Sequence, residues 1–482
     1  MHSRRPNVVM FMLDTLRASD TYTNSALTNI NRMAMEGLSY TNAVAPGTWT
    51  ATSHASMFTG KPVSAIPDAS KDLFNGGTEK IDPWFVKTKF LPDSINTLAS
   101  KLGSMGYSTS LFSNNPFLNS MTNLSEGFQT TYDLWKDTNA SKKGMLSRKA
   151  SKLLQGGSRT RIKMMDVSYA VSRILPAPLL DKLYLDLRVR LDRGVAENDF
   201  TYKMDRGANR TNKVIKSYIR KRAQSDIMPK FMFINYIEAH ENYPVRKEIV
   251  QDKWLYMSRI MELDENTRSE LHKAYLRRIR YLDKKVGEAI KDMRESGLLD
   301  NALVILLSDH GQFFGEHGLL YHSMAPYSEV SNVPLISLRF IDGKPVKERK
   351  VIDEPVSLGR IGSAVVEVVT KNQTNLNGNM FGNVYSEHTG ISEGWDEYLL
   401  AKLRRRSKFA DMIYKAKMEH NRQAVAIYHN GMKLIHFYGG RPDELYAIND
   451  KMEEQNIISG HKSEAADMRK RHSKYVANHT SL

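Results

Sequence analysis

The 482-residue chain contains no cysteine. Disulfides and thiolate metal sites are therefore excluded, while the compartment stays open. Long apolar runs are also missing. Val8–Leu13 spans about six residues and ends on Asp14, which is too short for a signal-peptide core. No stretch reaches the roughly 18 apolar residues of a membrane span. An unprocessed, cytoplasmic protein, at most peripheral to a membrane, is the expectation. Acidic residues are in deficit: 53 Asp and Glu face 69 Lys and Arg, for a net charge of +16. That excess favours anionic partners, whether phosphate or sulfate esters, nucleic acid or an anionic membrane.

Three apolar runs organise what is present. Asn7–Leu13 leads into Asp14, Lys230–Ile237 into Glu238 and His240, and Ala302–Leu307 into Ser308, Asp309 and His310. Continuous apolar runs fit strands buried on both faces of a parallel sheet. Amphipathic patterns at Thr28–Gly37, Asp93–Gly103 and Leu271–Gly297 read as intervening helices, each with a terminal glycine. Alternating strands and helices predict a doubly wound α/β core, whose ligands bind beyond the carboxyl ends of the strands.

Residues of about 135–225 read as a helical insertion. Between Ser141 and Met165 there are eight Lys or Arg and no acid. A solvated basic cap is the plain reading of this stretch. An interfacial segment meeting anionic lipid is the sharper one. From about 346 the chain is less apolar. Ala424–Tyr438 reads as a hairpin around His429, Asn430 and Gly431, which predicts a small antiparallel sheet. A terminal helix follows, and the polar tail from Lys462 is expected to fray. The expected division is a catalytic domain over 1–345 and a smaller C-terminal α+β subdomain over 346–482.

Four segments could carry chemistry. Asp14 sits at a strand end. Asp309-His310-Gly311, Gly315-Glu316-His317-Gly318 and His322 bring a carboxylate and imidazoles to another, which suits a divalent cation. Gly47–Ser56 is dense in hydroxyls and precedes a helix-like stretch ending at Gly60. A hydroxyl at a helix N-terminus lies where free N–H groups favour an anion, but it needs a metal or base to become a nucleophile. Glu238-Ala239-His240 with Tyr243-Pro244 forms the fourth. There His240 could hold a substrate oxygen, bind a second metal or protonate a leaving group.

In order along the chain, NVVMFMLDTLRAS, NINRMAMEGLSYTN, APGTWTATSHASMFTGK, FINYIEAHENYP, LVILLSDHGQFFGEHG and DELYAINDKMEEQN resemble the sulfatase branch of the alkaline phosphatase superfamily. The resemblance implies a three-layer α/β/α fold with a mostly parallel sheet. It further implies a divalent metal (Ca, Mn, Zn or Mg) on Asp14, Asp309 and His310, with Thr50 completing the site as nucleophile. His240 and His322 would face the leaving group. Asn114, His54 and Arg17 would lie on the substrate side. Sulfatases carry Cys or Ser in C/S-x-P-S-R, converted to formylglycine; here the aligned residues are Thr50-Ala51-Thr52-Ser53-His54. Threonine cannot become formylglycine, and threonine nucleophiles are typical of the superfamily's phosphodiesterases and phosphotransferases. The second aspartate usual after Asp14 is Thr15. The expected activity is metal-dependent hydrolysis or transfer of phosphate or phosphodiester esters. True sulfate ester hydrolysis is one alternative. A non-catalytic membrane- or polyanion-binding protein on this scaffold is another. No specific nucleic-acid binding is expected.

Overall fold

The computed structural model describes residues 5–66, 91–137, 175–198, 203–222, 228–390 and 400–480, apart from 93, 94, 121, 372, 377 and 402. The apolar runs form its centre. In chain order the principal strands are β1 (Asn7–Leu13), β2 (Leu38–Val44), β3 (Ser108–Ser113), β4 (Thr130–Asp133), β5 (Lys230–Tyr236), β6 (Asn301–Leu307), β7 (Asn332–Ile341) and β8 (Lys350–Ile352). They lie side by side in the order 8-2-7-6-1-5-3-4. β6, β1, β5, β3 and β4 run parallel to one another. β7 runs antiparallel to both β6 and β2.

Strand alternation sends successive side chains of β1 to opposite faces. Val8, Met10 and Met12 join one apolar layer with Met57, Phe58, Leu98 and Val365. Val9, Phe11 and Leu13 join the other with Ile30, Ile215, Leu271 and Ile279. The layers come from helices on both sides: α1 (Thr28–Glu36), α2 (Thr50–Thr59), α3 (Leu98–Ser104), α5 (Ala208–Arg222), α6 (Glu265–Glu295) and α7 (Ile361–Lys371), while α4 (Ala177–Asn198) packs apart from both, against Val250, Leu255 and Ile413. The result is the expected three-layer α/β/α core with a mostly parallel sheet.

Several boundaries differ from the sequence reading. α3 begins at Leu98 rather than Asp93, because Thr97 is its N-cap and accepts from Ser100 N. α6 begins six residues before Leu271, where Asp264 accepts from Thr267 N. α5, which falls within the bounds of the expected insertion, packs Ile215, Tyr218 and Ile219 into the sheet-covering layer. The basic stretch 141–165 lies outside the described residues. The division expected at 345 falls within the main sheet, since β8 pairs with β2 and α7 packs on the core. The smaller sheet comprises β9 (Val384–His388), β10 (Ala424–His429), β11 (Met432–Phe437) and β12 (Glu444–Ala447), all antiparallel. The predicted hairpin is β10–β11, turning on Asn430 and Gly431 with positive φ of 47° and 75°. The C-terminal tail expected to fray is the helix Lys462–Thr480, held by buried Ala465, Met468 and His472.

Candidate active site

Four adjacent parallel strands deliver the chemistry to one edge. Asp14 follows β1, His240 follows β5, Asp309 and His310 follow β6, and Asn115 follows β3. The turn after β1 puts Thr15 in the left-handed region at φ 62°, costly for a β-branched residue. That turn aims the Thr15 N–H at Asp309 Oδ1, 3.3 Å away. Thr50 opens α2, and its hydroxyl sits where the first turn's backbone N–H groups are unpaired.

Donor atoms converge there. Asp14 Oδ2 accepts from Asn115 Nδ2 at 2.6 Å. Asp309 Oδ1 accepts from His310 N at 3.0 Å. The other oxygens, Asp14 Oδ1 and Asp309 Oδ2, are buried with no hydrogen-bond partner among the described residues. His310 Nδ1–H donates to the Gly311 carbonyl at 3.0 Å, which leaves the Nε2 lone pair free. That Nε2 lies 3.9 Å from Asp14 Oδ1, 3.6 Å from Asp309 Oδ2 and 3.4 Å from Thr50 Oγ1. Two orphaned carboxylate oxygens, a lone-pair nitrogen and a hydroxyl facing one another fit a divalent cation. Without a cation, burial and the neighbouring Asp309 push Asp14 up to about 6, and burial pushes Asp309 up to about 7. Burial pulls His310 down, so its imidazole is held neutral.

Next to this set lies a second. His240, Glu241 and His322 place ligand atoms within 4.8 Å of one another. Glu241 Oε2 is 3.2 Å from His240 Nδ1 and 3.3 Å from His322 Nδ1. The His240 Nδ1–H donates to the Glu241 carbonyl at 2.7 Å, again freeing Nε2. The His322 ring centroid is 4.5 Å from that of His310, so the two sets adjoin. Burial pulls both imidazoles of this set down, opposed by the Glu241 charge. Burial alone would raise Glu241, but His240 and His322 hold it well below the usual carboxylate range.

The other expected residues lie elsewhere. Asn114 turns away and donates to Thr211 Oγ1 at 2.7 Å. Its neighbour Asn115 faces the site instead, because adjacent residues at a strand end point to opposite sides. His54 is fully buried one turn into α2. It donates from Nδ1 to the Thr50 carbonyl at 2.8 Å and meets Phe58 and Phe233 edge-on. Burial drops it to about 3, so it backs Asp309 as a neutral ring rather than reaching substrate. Arg17 points into the protein, pairing with Glu316 at 2.8 Å and Asp20 at 3.1 Å, and braces the Gly311–Gly318 loop.

Sequence reasoning missed four residues here. Glu241 adjoins His240 and was legible as a His-Glu pair. Asn115 was one position from the expected asparagine. Arg206 donates from Nη1 to the carbonyls of Ile237, His240 and Glu241, and Arg278 donates to that of His240. These two guanidinium groups hold the His240 loop from distant parts of the chain, a role with no local sequence signal.

A sulfatase family model matches residues 6–369. Choline-sulfatase of Rhizobium meliloti (strain 1021) is 40% identical over 73 residues, 15% of this chain and 14% of that protein. N-acetylglucosamine-6-O-sulfatase of Bacteroides thetaiotaomicron is 30% identical over 99 residues, 18% of each. The matches thus span less than a fifth of the length of these two curated relatives. Among solved structures, the phosphonate monoester hydrolase of Agrobacterium radiobacter superposes with a TM-score of 0.59 at 14% identity, covering 98% of this chain and 96% of that one. That of Silicibacter pomeroyi gives 0.62 at 15%, covering 98% and 95%. These structures share the fold. With the family model covering most of the chain, the protein belongs to the sulfatase family.

Proposed function

We propose that the protein is a metal-dependent ester hydrolase or phosphotransferase in which Thr50 is the nucleophile and phosphate or phosphodiester esters are the substrates. One observation carries this reading. The Thr50 hydroxyl heads α2 beside His310 Nε2 and the two orphaned oxygens of Asp14 and Asp309. Asp14, Asp309, His310 and Thr50 would hold the cation, which when bound lowers the hydroxyl's pKa and offsets charge on the ester. Asn115 Nδ2, 3.4 Å from Thr50 Oγ1, orients that hydroxyl. Thr50 Oγ gives its proton to solvent water and bonds to phosphorus as the bond to the leaving oxygen breaks, and that oxygen takes a proton and departs as the alcohol. The α2 N–H groups face the non-bridging oxygens. Water or an acceptor alcohol then takes the group from Thr50. His240, Glu241 and His322 stand on the leaving-group side. Their neutral imidazoles and ionised carboxylate suit cation ligation, and His240 or His322 serves as acid where a proton is supplied instead.

The test compares Thr50→Ala and Thr50→Ser, loaded with the same metal, on aryl phosphodiester, phosphate and sulfate esters. Thr50→Ala is expected to lose roughly 10³-fold or more in kcat, and Thr50→Ser to retain part of it. Wild-type turnover by Thr50→Ala removes the mechanism. A second reading, sulfate ester hydrolysis, is favoured by the sulfatases among the relatives and predicts preference for the aryl sulfate. The third, a non-catalytic scaffold, predicts no stoichiometric metal at all.

A further inference from the structure

Helix α4 carries leucines at 179, 183, 187 and 191, every fourth residue. Such a series runs along one side of a helix and spans about 18 Å at 1.5 Å per residue. These leucines are 51%, 50%, 53% and 47% exposed. The helix is not loosely placed. Its opposite side packs Tyr184, Leu185 and Val189 against Val250, Leu255 and Ile413. Arg188 pairs with Asp252 at 2.6 Å, and Asp192 accepts from Gln251 N at 2.8 Å. A firmly docked helix therefore presents a row of four half-exposed leucines outward. Contiguous apolar exposure of this kind marks an interaction surface, unlike leucines scattered singly.

The charges around the row select its occupant. Exposed Lys182, Arg190 and Arg193 lie beside the leucines, against Asp186. A second copy of this chain would bring the same positive charge to the same place. An anionic leaflet meets both features: leucines enter the boundary of the acyl region while cations face the headgroups. Neither signal alone anchors a protein firmly, but together they act additively. We propose that α4 docks the protein onto an anionic membrane surface through Leu179, Leu183, Leu187 and Leu191. Among the described residues no helix is long and apolar enough to cross a membrane, so this is surface attachment.

The experiment is co-sedimentation of the full chain with vesicles of phosphatidylcholine, with and without phosphatidylserine, alongside the double variant Leu183→Ser, Leu187→Ser. The wild type is expected to sediment with the phosphatidylserine vesicles at low salt and to stay in solution with phosphatidylcholine alone. The double variant is expected to partition roughly tenfold less. Its melting temperature should fall only slightly, since those side chains are half exposed and half packed on their own helix. Failure of the wild type to sediment overturns the proposal. So does equal sedimentation of the variant, which would mean that charge alone acts. A melting temperature lowered by several degrees would show the row covered by the chain itself. A wild-type dimer in sedimentation velocity that the variant loses would assign the row to a second copy. Either result also overturns the proposal.

Discussion

Asp14 and Asp309 show how a single side chain's environment favours a cation. Each spends one oxygen on hydrogen bonding from the protein and leaves the other buried with no hydrogen-bond partner among the described residues. Ionising them without a cation is costly, which is why Asp14 rises to about 6 and Asp309 to about 7. The sign follows from linkage. A carboxyl whose folded pKa exceeds its unfolded value favours the fold below the unfolded pKa and loses that contribution as pH rises through the folded one. The metal-free protein should thus lose stability between about pH 4 and pH 7 as these groups ionise. A cation reverses the penalty, and its binding releases protons. The expected outcome is that Zn or Mn raises the melting temperature more at pH 8 than at pH 5.5, with chelator-treated protein as the reference. An equal rise at both pH values, or none, would remove this pair as the metal site.

At the scale of elements, the site is where strand ends and tight turns meet, and this decides what was readable. β1, β5 and β6 were legible because each is a continuous apolar run, and their polar ends predicted the edge that holds Asp14, His240, Asp309 and His310. The side of the chain that each flanking residue faces was not legible. A one-residue difference separates Asn115, which touches Asp14 and Thr50, from Asn114, which bonds Thr211. Helical spacing likewise buries His54 one turn behind Thr50, although the two are close in sequence. The turn after β6 depends on Gly311, where a Cβ would meet the Glu329 carbonyl oxygen at 2.1 Å. Neither backbone can yield easily, since Gly311 N and Gln312 N already bond the Val330 and Glu329 carbonyls at 2.7 and 2.8 Å. Gly311→Ala is therefore expected to displace His310 and weaken metal binding by tenfold or more, roughly the cost of disturbing a ligand's support. Far-ultraviolet circular dichroism should stay near wild type. Metal titration followed by elemental analysis checks this, and unchanged stoichiometry and affinity would show that the turn absorbs the methyl group.

Across the whole molecule, an apolar cluster and a buried ion pair join the small C-terminal sheet to the main α/β core. The apolar contact comes from one cluster that gathers Phe313, Tyr327 and Val330 of the core with Ala426, Ile435 and Phe437 of β10 and β11. A charged joint lies beside it. Glu453 reaches back to accept from Ser328 N at 3.0 Å and Ser328 Oγ at 2.8 Å. Lys433, on β11, pairs with Glu453 at 2.5 Å and donates to Ser331 Oγ at 3.2 Å. Both side chains are almost wholly buried, at 3% and 1% exposure. Buried pairs seldom add much net stability, because desolvation offsets attraction, but removing one partner strands the other. Glu453→Ala would leave the Lys433 ammonium without its carboxylate and Ser328 without its acceptor. The expected cost is about 3–5 kcal/mol, largely insensitive to salt because the pair is shielded from solvent. The double variant Glu453→Gln, Lys433→Met removes both charges and should recover most of that loss. Denaturant unfolding of the three proteins at low and high ionic strength measures it. A Glu453→Ala loss that high salt abolishes, or a double variant no better than the single, would mean that the buried pair does not hold the joint, leaving it to the apolar cluster and to contacts such as Glu387 N with the Pro46 carbonyl at 2.8 Å.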